Sequence, residues 1–135
     1  MTLTGETAVT AVQTAVQIPF VSEPARWWIL CVSGELDLST APGLHRLAYA
    51  LRRGDKTSGL VVDLEEVTFM DCAGLRPILR AHRALPTGWF FVRNPHVQVS
   101  RLLQLTRLDV SLPIVRDHSQ VGDVVRHCLG GRPKS

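Results

Sequence analysis

The chain has 135 residues, a hydrophobic fraction of 45% and a formal net charge of +3, values that point to one soluble globular domain rather than a disordered chain. A domain of this size buries roughly two-thirds of the surface its unfolded chain exposes. The charge is only weak evidence for a nucleic-acid partner, and the basic stripe that such binding needs is missing: no basic cluster exceeds Arg52-Arg53, and Trp27, Trp28, Trp89, Phe90 and Phe91 sit in apolar runs rather than between cations.

The chain does not open on a basic stretch followed by an apolar core, and no apolar run approaches the roughly 18–20 residues of a membrane helix. A cytoplasmic protein without direct membrane insertion is expected. Its cysteines, Cys31, Cys72 and Cys128, are odd in number, widely spaced and free of any CxxC, as in a reduced compartment rather than a disulfide framework.

In chain order, the Thr- and Ala-rich residues 1–14 predict a flexible tail, followed by one domain over 15–130 and a C-terminal tail over 131–135. A short strand is predicted at 16–20, where Pro19 confines it to an edge or a strand end. Residues 27–32 lack polar alternation and predict a strand covered on both faces. After a turn at 33–37, Ser39 or Thr40 can cap a helix with Pro42 in its first turn and Leu44, Leu47, Ala48 and Leu51 on one face. Residues 60–64 predict another buried strand, extended by the apolar 67–70, with Glu65-Glu66 as a solvated turn at its end.

A second helix carries Leu75, Ile78, Leu79 and His82 on one face and Arg76, Arg80 and Arg83 off it. Pro77 would be costly in a second turn, by about 3 kcal/mol, so a cap near Gly74 is expected, with Cys72 and Ala73 in the turn. A strand at 89–92, a third helix capped by Asn94-Pro95 with Val99, Leu102, Leu103 and Thr106 inward, a short strand at 113–115 and a last helix from Ser119 through Cys128 complete the chain. Strands alternating with helices predict an α/β domain with a mixed, mostly parallel sheet of about four to five strands and about four helices.

Catalytic patterns are missing. The five histidines form no HExxH and pair with no cysteine at zinc-finger spacing, and GxSxG, GxGxxG and a Walker A lysine are all absent. No enzyme, metal or cofactor is expected. Two stretches stand out instead: Val32-Ser33-Gly34-Glu35-Leu36-Asp37, a strand running into a glycine and two acids, and residues 61–75, which contain Phe69-Met70-Asp71-Cys72-Ala73-Gly74-Leu75.

Together they resemble the STAS family, the anti-sigma-factor antagonists of bacterial partner switching, which show a GELD turn and later a "vvDLs.v.FmDSsGL" segment. The order and spacing of the two motifs match, and the segment "NPHVQVSRLLQLTRLD" resembles the family's third helix, so that the likeness covers roughly residues 16–128. It implies an STAS domain that docks on an anti-sigma factor, itself a Ser/Thr kinase of the histidine-kinase-like ATPase fold, and so frees a sigma factor.

Carried over by position, the partner-binding residues are Gly34, Glu35, Asp37, Asp71, Cys72, Ala73, Gly74, Leu75 and Arg76; a homodimer is left open. The family's kinase phosphorylates the serine after the Asp, where phosphate adds about −1.5 to −2 charges at a helix N-terminus. Here Cys72 holds that phospho-acceptor position and Ala73 follows it, so neither offers a hydroxyl. Cys72 is a small Ser-like filler or a thiolate favoured by the helix N-terminus and opposed by Asp71. Two further functions stay open beside the antagonist: an STAS subunit of a transporter complex, and a thiol-based redox sensor.

Overall fold

The two longest apolar runs become the central strands of a sheet. A computed structural model describes residues 8–16, 25–54, 59–85 and 89–116. In it β2 (Ala25–Leu36) and β3 (Gly59–Met70) lie side by side and parallel. β1 (Ala8–Val16) pairs antiparallel with β2, while β4 (Phe90–Arg93) and then β5 (Ile114–Val115) extend the sheet parallel to β3, in the order β1-β2-β3-β4-β5. Helix α1 (Ala41–Gly54) joins β2 to β3 and α2 (Cys72–Ala84) joins β3 to β4. From β4 the chain reaches β5 through α3 (Val97–Leu105) and the short α4 (Leu108–Ser111). This is the mixed, mostly parallel α/β sheet that the alternation of elements predicts.

Alternation along the strands sorts the side chains into two clusters. Leu30 and Val32 of β2, Leu60, Val62 and Leu64 of β3, and Phe90 and Val92 of β4 meet Leu44 and Leu47 of α1, Leu75 and Ile78 of α2, and Val99 and Leu103 of α3. The other sheet face holds Trp27, Ile29, Val61 and Phe91, with the Trp27 ring stacked on Trp89 at 5.8 Å between centroids. Both faces of the central strands are covered, which is why their sequences show no polar alternation. Each such Leu or Phe contributes about 1.5–3 kcal/mol on burial.

Several elements depart from the sequence reading. β1 takes in residues 8–14 of the expected tail; its Val and Thr suit a pleated edge, and Val9, fully buried opposite Val32, anchors it to the core. Of the strand expected at 16–20, residue 16 ends β1 and the rest lies outside the described residues, as does the helix expected from Ser119 through Cys128. β2 continues through the predicted turn to Leu36, with Gly34 at φ 90° and register shifts on either side of Ser33-Gly34. The glycine permits a bulge that a residue with a Cβ would resist. Glu65 and Glu66 lie within β3 rather than in a turn.

Asp71, not Gly74, caps α2, so Pro77 sits inside the helix, buried in its second turn. Having no N–H, it cannot donate to the Ala73 carbonyl. Asn94 is likewise no cap: it takes a left-handed φ of 47° and donates its N–H to the Val115 carbonyl at 2.8 Å, tying β4 to β5, while α3 starts after His96. α1 starts where expected, with the Thr40 carbonyl accepting from the Gly43 and Leu44 N–H groups, but the Thr40 hydroxyl accepts the Asp37 N–H instead of capping the helix.

Candidate functional site

The two sequence motifs meet at the C-terminal edge of the parallel strands. Leu36 and Met70 are register partners, so the residues that follow them, Asp37 and Asp71, leave the sheet side by side. The Asp71 N–H donates to the Leu36 carbonyl at 3.3 Å, closing the two strand ends on each other. Each aspartate then starts a helix.

The Asp37 carboxylate accepts from the Ser39 hydroxyl at 2.8 Å, the Ser39 N–H at 3.0 Å and the Thr40 N–H at 3.2 Å. The Thr40 hydroxyl accepts the Asp37 N–H at 2.9 Å and reaches the Glu35 carbonyl at 3.0 Å. These bonds, the Ser39 hydroxyl foremost, hold the Asp37 carboxyl below its ordinary range, against a smaller opposing effect of desolvation.

Asp71 adopts extended backbone (φ −114°, ψ −174°), and its carboxylate accepts from the Gly74 N–H at 3.0 Å. The first turn of α2 rides directly over the end of β2: a Cβ on Gly74 would lie 2.2 Å from the Leu36 carbonyl oxygen. Gly74 is therefore required by close approach of backbone to backbone. Cys72 is the first helical residue and its thiol is exposed, with Ala73 half-buried behind it.

The nine residues that resemblance marks as partner-binding fall into two groups. Glu35, Cys72 and Arg76 are exposed, and Gly34, Asp37, Asp71 and Ala73 are half-buried beside them. Gly74 and Leu75 are buried, Leu75 to 3% exposure, and shape the corner from beneath. Phe69, which belongs to the apolar extension over residues 67–70, is 43% exposed and is the register partner of Glu35. Leu38, just beyond Asp37, is 71% exposed. The clue to both was position, an apolar residue within two places of a motif acid at a strand end.

Beside Cys72 a groove of about 240 Å³ runs between α1 and α2. Leu38, Ala41, Pro42, His45 and Arg46 form one wall, and Ala73, Arg76, Pro77 and Arg80 the other. A second depression, near 350 Å³, lies between α3 and β5, with Ser100, Asp109 and Arg116 among its residues.

On the far face of the sheet, register pairing brings Asp63 against Arg93 in a buried ion pair that the sequence reading missed. Burial pushes the Cys31 thiol above its ordinary value, and the Asp63 charge adds to this while Arg93 partly offsets it. The signal was a single charge inside each of two apolar runs, Leu60-Val61-Val62-Asp63-Leu64 and Phe90-Phe91-Val92-Arg93. Among the described residues no three His, Cys, Asp or Glu side chains gather as a metal site, and no helix is long and apolar enough to cross a membrane.

The family model described as the STAS domain matches residues 18–121. Among solved structures, an anti-sigma factor antagonist from Mycobacterium paratuberculosis superposes with a TM-score of 0.68 at 24% identity, covering 90% of this chain and 94% of its own. A Thermotoga maritima protein provisionally assigned as an anti-sigma factor antagonist gives 0.62 at 25% identity, over 74% and 87% of the two chains. The unphosphorylated anti-sigma factor antagonist SpoIIAA gives 0.57 at 13% identity, over 93% and 99%. No curated protein sequence matches the chain.

Proposed function

This chain belongs to the STAS family, and on that premise we propose that it is a cytoplasmic, non-enzymatic anti-sigma-factor antagonist. It docks on an anti-sigma factor of the histidine-kinase-like ATPase fold and so frees a sigma factor. The observation that carries this reading is the joint between the motifs: the bond from the Asp71 N–H to the Leu36 carbonyl sets Asp37, Asp71 and exposed Cys72 on one corner. Glu35, Phe69 and Leu38 add the mixture of charge and exposed apolar surface that a protein interface uses.

Cys72 stands at the first helical position, where an added phosphate would meet free backbone N–H groups and the positive end of α2. With a thiol there, a Ser/Thr kinase partner finds no hydroxyl at residues 72 or 73, and the antagonist is held in its docking-competent form. Binding of the purified chain to the anti-sigma factors encoded in the same genome tests the role; no binding to any of them would sink it. The variant Cys72→Ser should gain one phosphate when incubated with the bound kinase and ATP, read as a mass shift on the peptide that contains residue 72. The same peptide in the unsubstituted chain should show none.

The exposed thiol also supports a second reading, a redox sensor at the same corner. Reversible loss of anti-sigma-factor binding on mild peroxide treatment, retained in Cys72→Ser, would remove Cys72 from that role.

A further inference from the structure

We propose that the groove between α1 and α2 is a specificity site for an acidic segment of the partner that carries an apolar anchor side chain. The proposal rests on the docking reading above and names the chemistry that this chain selects. On α2, Ala73, Arg76, Pro77 and Arg80 follow one another at the i, i+3, i+4 and i+7 spacing of a single helix stripe. Opposite them, Pro42 and Arg46 form the same kind of stripe on α1, with Leu38 at its mouth. The groove thus has an apolar lining, through Leu38, Pro42 and Pro77, and is edged by three guanidinium groups, Arg46, Arg76 and Arg80.

Nothing acidic lines it, and neither helix carries an acid in its first turn. The nearby carboxylates are already engaged: Asp37 by Ser39 and Thr40, Asp71 by Gly74. No carboxylate among the described residues pairs with Arg46, Arg76 or Arg80. Both helices also turn their N-terminal halves, the positive end of their dipoles, toward this side. Cations gathered there without counter-charge raise the energy of the free protein and are relieved by an anionic partner.

The apolar lining separates an acidic peptide from a nucleic acid, which would ask for a broad basic stripe instead. The exposed Leu38 offers a contact for the partner's anchor side chain. Because the groove adjoins the Cys72 corner through Ala73, a segment seated in it continues the docking surface.

The test is an amide-resolved NMR titration of the full chain with a capped peptide of alternating leucine and glutamate, its glutamine counterpart, and inorganic phosphate. The proposal expects shifts concentrated on Leu38, Arg46, Ala73, Arg76 and Arg80 with the acidic peptide alone, and an affinity that falls with salt. In Arg76→Glu/Arg80→Glu the affinity should drop by about tenfold or more, with the fold checked by circular dichroism and the milder Arg76→Gln/Arg80→Gln giving an intermediate loss.

Equal binding of the glutamine peptide, shifts located elsewhere, or phosphate perturbing the same residues as strongly as the peptide would each overturn it. So would concentration-dependent self-association that covers the groove. Binding of the anti-sigma factor to the same double variant separates the two levels. Unchanged affinity there overturns the groove proposal and leaves the antagonist role standing. An anti-sigma factor that fails to bind even the unsubstituted chain removes the role, while the peptide titration still decides the chemistry of the groove.

Discussion

Two pairs of charged residues, one just beyond the C-terminal ends of the parallel strands and one within the sheet, are handled in contrary ways. At the docking corner, Asp37 and Asp71 follow register partners of β2 and β3, and their carboxylates are spent on backbone N–H groups at the starts of α1 and α2. On the far face, Asp63 and Arg93 are themselves register partners of β3 and β4 and neutralise each other out of water. The first arrangement leaves neighbouring side chains exposed and ready for a partner; the second is sealed. An acid in a parallel sheet is therefore read by its place along the strand: buried inside the strand, as Asp63 is, it needs a counter-ion, and one step beyond the strand, as at Asp71, it can cap a helix.

Breaking the sealed pair should have the largest effect. Arg93→Ala leaves Asp63 buried without its guanidinium, and a loss of about 3–5 kcal/mol is expected, measured by urea denaturation. Replacing both partners with apolar residues of similar volume, Asp63→Leu with Arg93→Met, should recover most of that loss. A double variant as unstable as the single one would mean that the pair does more than neutralise itself.

At the corner, Gly74→Ala forces a methyl group against the Leu36 carbonyl, where backbone must move. A loss of about 1–3 kcal/mol is expected, together with weaker anti-sigma-factor binding, because α2 is lifted from β2. Asp71→Ala removes only the cap and should cost about 1 kcal/mol, by the same denaturation measurement. If Asp71→Ala proved the costlier of the two, the cap and not the close approach would be what seats α2.

The smallest effect concerns pH. The hydrogen bonds from Ser39 and Thr40 hold the Asp37 carboxyl below its unfolded value, so its contribution is present above the ordinary carboxylate range near ~4. It is lost as pH falls through the lower folded value. Side-chain carboxyl NMR should show Asp37 titrating lower than a free aspartate, and Ser39→Ala should move it up. No upward movement would mean that Ser39 is not the main cause.

Much of this arrangement was legible in the residues. Apolar runs without alternation marked β2 and β3, and Thr40 with Pro42 marked the start of α1. The order and spacing of the two motifs led to the corner itself. What was not legible depended on neighbours distant in sequence. The Thr- and Ala-rich start gives little hydrophobic signal by itself and becomes β1 because β2 offers an edge and Val32 a partner for Val9. Pro77 was placed by local cost at a helix start, whereas Asp71 caps and Gly74 packs, fixing α2 three residues earlier than a cap at Gly74 would. Asn94 has the composition of a cap, yet its left-handed turn and its bond to Val115 make it a strand connector. The pairing of Asp63 with Arg93 is a matter of register, which one strand alone does not display.

The bonds that hold the first turn of α2 have a further consequence for residue 72. Asp71 supplies the cap, Gly74 the close fit to Leu36, and Leu75 the core contact. None of these draws on the side chain between them, which faces solvent. Position 72 is thus a replaceable socket in an otherwise fixed mount. A hydroxyl, a thiol or a methyl group can be exchanged there at little cost to the fold, so the means of control can change while the docking surface stays as it is.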